Sequence, residues 1–260
     1  MSDLLKIMSL NIGNPSIERA KTQVKWIEER DEDVFILTET KNSEGCNYIE
    51  DYFFQYGYSL FTLNAEKSYN VYFPKPQTDD LGVMVISKLP IKNTFSLYNQ
   101  NNRFYARIVD FDIEYNHKVV HIIGLYVPSR DRSDEKIQRK KMFLIDIAKH
   151  INSLTKMPCV ICGDLNILEK DHIPHYTTFF QWEYAFYDYF NKQNYTDAFR
   201  YCYPQKNEYS WVGRTNDGYR YDHCFVSSDI KSNVKDCFYV HETRSRSFTD
   251  HSAIVLHLEI

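Results

Sequence analysis

PCVICGDLNI, running from Pro158 to Ile167, decides how the rest of the chain is read. Val160, Ile161 and Cys162 form a short apolar run of the kind that makes a buried strand. Gly163 predicts a turn at its open end, and Asp164 and Asn166 follow two residues apart. One carboxylate and one carboxamide are thereby placed stiffly at the rim of a sheet. The carboxylate accepts a proton or a cation, and the amide donates to an oxyanion. Such a pair suits a metal-bound phosphate, and the remaining strands show what else reaches that rim.

The totals narrow the class. A chain of 260 residues, 43% hydrophobic and 16% aromatic with 8 Gly and 8 Pro, has ample material for a core and is globular. A formal charge of −4 argues against a globally basic nucleic-acid binder but leaves room for a local basic groove. No apolar run approaches the roughly 20 residues of a membrane span, and the first residues lack a signal-peptide pattern. The expectation is a cytoplasmic protein without membrane partners. Six cysteines (46, 159, 162, 202, 224 and 237) show no framework spacing. Cys159 and Cys162, three apart on a strand, face opposite sides of a sheet, so reduced structural thiols are expected.

Along the chain, Leu4–Leu10 reads as a strand ending at Asn11, with Asn14-Pro15 as helix cap and first turn. Ile17, Ala20, Val24 and Ile27 recur at helical spacing, and Val34–Leu37 is a second strand that leads into Glu39. Strand, helix, strand opens an α/β fold. Residues 46–78 are crowded with aromatics such as Tyr48, Phe53, Tyr56, Tyr58 and Phe61, without clean periodicity. Residues 82–87, 103–113 and 119–127 read as strands, the last closing on Tyr126. Ser133 caps a helix whose basic start, including Lys140, reads as a solvated face. After the Gly-Asp strand comes an aromatic helix over 177–190. Asp222 then enters a strand over 224–227, and Asp250-His251 precedes a last strand over 254–258. No linker or repeat interrupts residues 1–260, so a single domain is expected.

The polar residues at the tips of apolar runs are Asn11, Glu39, Tyr126, Asp164, Asn166, Asp222, Asp250 and His251. Packed sheets bring such tips to one end, where α/β proteins bind ligands. Several carboxylates together need a cation, because like charges raise each other's pKa. Oxygen donors of this kind suit Mg²⁺ or Mn²⁺ rather than zinc. A hard cation beside an Asp–His pair and an Asn donor is equipment for phosphoester hydrolysis.

The pieces LKIMSLN, DVFILTETK, GVMVISK, GLYVPS, VICGDLNI, GYRYDHCFVS and TDHSAIV, in that order from Leu4 to Leu258, resemble the endonuclease/exonuclease/phosphatase superfamily. Within it, the resemblance is strongest to exonuclease III and the apurinic/apyrimidinic (AP) endonucleases. It implies a four-layer α/β sandwich, two mainly antiparallel β-sheets face to face with helices outside. It also implies a metal held by Glu39 with Asn11 and Asp250 in or beside its shell, and Asp164 and Asn166 within its reach. Asp164 orients or deprotonates the attacking water, Asn166 donates to the phosphate, and Tyr126 supports the phosphate or leaving oxygen. His251, oriented by Asp222, contacts the phosphate or moves a proton. Substrate contacts fall to Arg103, Arg130, Trp211, Tyr219 and Arg220, on a DNA substrate that is abasic or a duplex 3′ end, bound by a monomer.

Leu10 stands where the family carries an aromatic, Tyr219 where it usually has Trp, and no Pro follows Asp250-His251-Ser252. These departures touch the lesion pocket more than the chemistry. Two alternatives therefore stay open: a less specific nuclease or phosphatase of the superfamily, and a catalytically silent nucleic-acid-binding module.

Overall fold

Strands buried on both faces carry near-continuous apolar runs, and the runs of this chain build two sheets, each of six strands among the described residues. The structure, a computed structural model, describes residues 4–57, 69–77, 79–154 and 157–260, with only the backbone of 55–57. The first sheet contains β1 (Leu4–Asn11), β2 (Val34–Thr40), β3 (Asn70–Tyr72), β4 (Gly82–Ser87), β13 (Val234–Val240) and β14 (Ala253–Glu259). Its order is β13-β14-β1-β2-β4-β3. The second contains β5 (Ile91–Phe95), β6 (Ile108–Tyr115), β7 (Lys118–Tyr126), β8 (Cys159–Asp164), β9 (Tyr195–Asp197) and β12 (Asp222–Ser227). Its order is β5-β6-β7-β8-β12-β9, and β10 (Trp211–Val212) and β11 (Gly218–Tyr219) form a separate hairpin. Among the described residues only β1–β2 and β7–β8 pair in parallel.

Residue parity sorts the layers. Leu5, Ile7, Val34, Ile36, Val83 and Val85 meet Val109, Phe111, Val120, Ile122, Val160 and Cys162 between the sheets. The alternate residues Met8, Leu10, Phe35 and Leu37 face α1 (Ile17–Glu28) and α2 (Glu44–Gly57). Ile123, Leu125, Cys159 and Ile161 face α3 (Asp134–Ser153) and α4 (Gln181–Lys192). The result is the four-layer sandwich that the resemblance implies. Cys159 and Cys162 lie on opposite faces of β8, and all six thiols are free. No helix among the described residues is long and apolar enough to cross a membrane.

Several boundaries differ from the sequence reading. Ser16, not Asn14-Pro15, caps α1, its hydroxyl accepting from Arg19 N. Gly163 does not turn: it continues β8 at φ +150°, where a Cβ would collide with the Leu125 carbonyl. The strand expected from Arg103 starts only at Ile108, because residues 105–107 wind into a 3₁₀ turn. Lys140 is not on a solvated face but is 1% exposed. Helix α2 and strands β5 and β13 lacked a decisive local pattern. Tyr58 and Phe61 lie outside the described residues, as does the side chain of Tyr56.

Candidate active site

Topology alone brings the polar tips together. β1 and β2 run in parallel, so Asn11 and Glu39 emerge at the same edge. β14 runs antiparallel to β1, which puts Asp250 and His251, just before its start, at that edge too. In the second sheet Tyr126 pairs with Asp164, and Asp164 pairs with Asp222. The sheets then join across their ends: Asn11 Nδ2 donates to Glu39 Oε2 and to Asp164 Oδ2, both at 2.9 Å.

Each tip is held in place by its own backbone. Glu39 occupies a β-bulge between Thr38 and Thr40 with φ 58°, which re-aims its side chain from the sheet into the cleft. Its Oε2 also accepts from the Tyr126 hydroxyl at 3.3 Å. Asn166, at φ 48°, donates its backbone N–H to Asp164 Oδ1 at 3.0 Å and Nδ2 to Val127 O at 3.0 Å. Thr249 Oγ1 bonds Asn11 O at 2.7 Å, tying the loop before β14 to the end of β1. His251 Nδ1 meets Asp222 Oδ2 at 2.8 Å, and the Tyr239 hydroxyl fixes Asp222 through its carbonyl at 2.6 Å.

Burial sets the protonation. Asp164 is raised to about 7, first by desolvation and then by the charge of Asp222, against opposing pulls from His251 and Asn11. His251 would be lowered by burial, but the charge and hydrogen bond of Asp222, with Asp164 and Asp250 behind them, raise it to about 9. Tyr126 is driven well above its ordinary value by burial and by Glu39. Ligand atoms of Asp164, Asp222 and His251 lie within 4.8 Å of one another. An imidazolium already balances those two carboxylates, so the trio is better equipped to move a proton than to hold a cation. Glu39 and Asp250 line the open cleft and offer only oxygen, which fits a hard divalent ion. Asn11 keeps its Oδ1 on Gly13 N at 2.9 Å and turns its NH₂ to the carboxylates, so it would act beside such an ion as a hydrogen-bond donor rather than as a ligand.

The cleft holds about 340 Å³. Of the expected substrate residues, Trp211, Tyr219 and Arg130 line it. Trp211 Nε1 donates to Asp250 Oδ2 at 2.8 Å. Arg130 is committed to Glu183 and Thr178 O, so its guanidinium braces the wall. Arg220 is not a surface contact: it has no exposed surface and bonds Glu169, Asp197 and the Tyr187 hydroxyl. Arg103 is exposed, lies over the Phe104 ring at 5.5 Å, and does not line the cleft. Sequence reasoning missed Phe179 and Tyr221 in the wall and Lys140 beneath it. Lys140 Nζ bonds Asn166 O and Glu183 Oε1, both at 2.6 Å. It also missed Arg107, whose guanidinium lies 4.9 Å from the Tyr126 ring centre. A helix position at which a Lys shares the periodicity of Leu144, Ile147 and Ile151 was the available signal for Lys140.

A profile of the Endonuclease/Exonuclease/phosphatase family matches residues 8–251. The chain is similar to an exodeoxyribonuclease of Bacillus subtilis (strain 168), with 24% identity over 251 residues covering 89% of this chain and 92% of that protein. An AP endonuclease from Archaeoglobus fulgidus shares the fold at TM-score 0.81 and 20% identity, covering 98% of this chain and 100% of that one. A 3′ phosphatase from Neisseria, bound to a product DNA hairpin, does so at TM-score 0.80 and 17% identity, covering 98% and 99%. With the family's motifs at the joined strand ends and its profile spanning nearly the whole chain, the protein belongs to the Endonuclease/Exonuclease/phosphatase family.

Proposed function

We propose that this chain acts as one domain, a Mg²⁺- or Mn²⁺-dependent DNA-repair nuclease that incises at abasic sites and trims 3′ ends. The observation that carries the reading is the continuous bonded line Tyr126–Glu39–Asn11–Asp164 across the two sheets, with the Asp222–His251 pair beside it. The relatives' names, an exodeoxyribonuclease, an AP endonuclease and a 3′ phosphatase holding product DNA, support DNA as the substrate.

Glu39 and Asp250 would hold the cation, which when bound neutralises phosphate charge and polarises the phosphorus. Asp164, with a pKa near neutrality, takes the proton of the attacking water. The Asn11 amide holds its carboxylate in line. Asn166 lines the cleft and has a second amide N–H to give a non-bridging oxygen. His251, kept protonated by Asp222, presents Nε2–H to the phosphate, and the Tyr126 hydroxyl, turning its one proton from Glu39, donates to the phosphate or to the leaving oxygen.

The test is cleavage of a labelled duplex with one abasic analogue, run beside intact duplex, single strand, RNA and a generic phosphomonoester, each with Mg²⁺ and with EDTA. Mg²⁺-dependent incision at the abasic site and trimming of 3′ ends is the expected result. Hydrolysis of the monoester alone would transfer the chemistry to a phosphatase.

A further inference from the structure

Lys140 sits where a lysine is costly. It projects from α3 on the same face as the buried Phe143, Leu144 and Ile147, with 1% of its surface exposed. Desolvation pulls its pKa down. An apolar side chain of similar length would fill that face without the cost of burying an ammonium. Its carboxylate partner does not require it. Glu183, itself without exposed surface, already accepts from Arg130 Nε at 3.1 Å and from Phe180 N at 2.8 Å at the start of α4. Two cations thus share one buried carboxylate, and the second is explained by what else it holds.

That second hold is the Asn166 carbonyl, which accepts from Lys140 Nζ at 2.6 Å. Asn166 stands in the left-handed region at φ 48°, just past the end of β8. Its backbone N–H is on Asp164 Oδ1 and one amide N–H is on Val127 O, each at 3.0 Å. Lys140 fixes the other end of the residue, with a hydrogen bond strengthened by charge. The second amide N–H of Asn166 is left to the cleft, which Asn166 and Lys140 both line. A donor held in place before the reaction costs no rearrangement when charge develops on the phosphate. We infer that Lys140 is a positioning residue, whose ammonium clamps the Asn166 peptide so that the free amide N–H meets a phosphate oxygen. The inference rests on the nuclease reading above for the role of Asn166 and deepens it by naming what fixes that residue.

Two measurements test it, and one is independent of activity. Amide hydrogen exchange at Asn166 is read by NMR in wild type and in Lys140→Met, with the amides of β1 and β8 as a gauge of the fold. Exchange at Asn166 is expected to quicken roughly 10- to 100-fold, the worth of a hydrogen bond to a charged group, while the strands stay protected. An unchanged rate at Asn166 overturns the inference. Faster exchange throughout β1 and β8 overturns it too, because Lys140 would then support the fold at large.

The second measurement is a double-mutant cycle in Mg²⁺ on the abasic duplex, with Lys140→Met, Asn166→Ala and the pair. Lys140→Met is expected to lower kcat roughly 100-fold, the cost of a misplaced reacting group, with KM little changed. In the Asn166→Ala background the same change is expected to cost almost nothing, since the two residues act as a unit. Equal losses in both backgrounds, or a loss confined to KM, would make Lys140 a direct substrate contact and overturn the inference. Quickened exchange at Asn166 in a chain that cleaves no DNA upholds the clamp and contradicts the nuclease reading instead.

Discussion

Arg220 and Asp222 are two residues apart and do unrelated work. Asp222 orients His251, whereas Arg220 is sealed among Glu169, Asp197 and Tyr187. Its partners come from distant parts of the chain with no local pattern, so the sequence marked a cation near the site but not its burial. Arg220→Met leaves two buried carboxylates short of a partner and is expected to cost about 3–5 kcal/mol in urea unfolding. A stable variant with a raised KM would return Arg220 to the substrate. The opposite pairing of effects belongs to Asp164. A carboxyl raised from 3.8 to about 7 binds its proton more tightly folded than unfolded, so it costs stability as pH climbs between those values. Asp164→Asn, with nothing to titrate, is expected to melt no lower than wild type at pH 8 and to lose roughly 10²–10⁴-fold in rate. A fall in melting temperature matching the fall in rate would make Asp164 structural. These site residues were legible because each ends an apolar run, the one place where a short polar side chain interrupts a buried strand.

Strands β1, β2, β4, β7, β8 and β14 were legible for the reason that makes them central: buried on both faces, they carry unbroken apolar runs. β13 sits at a sheet edge, and its half-exposed residues dilute the pattern. At Gly124 in β7 a Cβ would lie 2.7 Å from Ile36 Cγ2 of the facing sheet and from Val109 Cγ2 of the neighbouring strand. Gly124→Leu is therefore expected to destabilise by about 1–3 kcal/mol, read as a lower urea midpoint at unchanged slope; an unaffected midpoint would mean that the layers are loosely packed. A second device ties β6 and β7 to α3. His121 bonds Asp112 at 2.8 Å and pairs with Asp110 at 3.0 Å, and His150 reaches Asp110 at 2.6 Å. Burial would lower His121, but the two carboxylates outweigh it and raise it; Asp110, raised by burial, ends lowered by the two histidines. The His121 contribution is thus full below pH about 6.5 and lost as pH rises through its higher folded value, while that of Asp110 is lost only in acid. Melting curves of wild type are expected to fall with alkaline pH more steeply than those of His121→Asn. Parallel curves would remove the network from the stability of these layers.

Two sheets, each with its helices outside, place every strand-end carboxylate of the site on one edge, which explains why the cluster could be assembled from sequence order alone. Of the cleft's wall only Arg130, Trp211 and Tyr219 were expected. Phe179 belongs to the loop after β8 and Lys140 to a helix start that looked solvated. Only the tertiary arrangement shows that they share a cavity. For the proposed nuclease, a formal charge of −4 leaves DNA to be drawn by local contacts and a bound cation rather than by overall attraction. The most direct measurement is therefore a Mg²⁺ titration of cleavage on a labelled abasic duplex, with wild type, Glu39→Gln and Asp164→Asn compared at one substrate concentration. Wild type should be silent in EDTA and restored by Mg²⁺. Glu39→Gln should need on the order of tenfold more Mg²⁺, and Asp164→Asn should stay slow at every Mg²⁺ concentration. Cleavage that persists in EDTA, or a Glu39→Gln titration identical to that of wild type, would contradict a hydrolysis built on these strand ends.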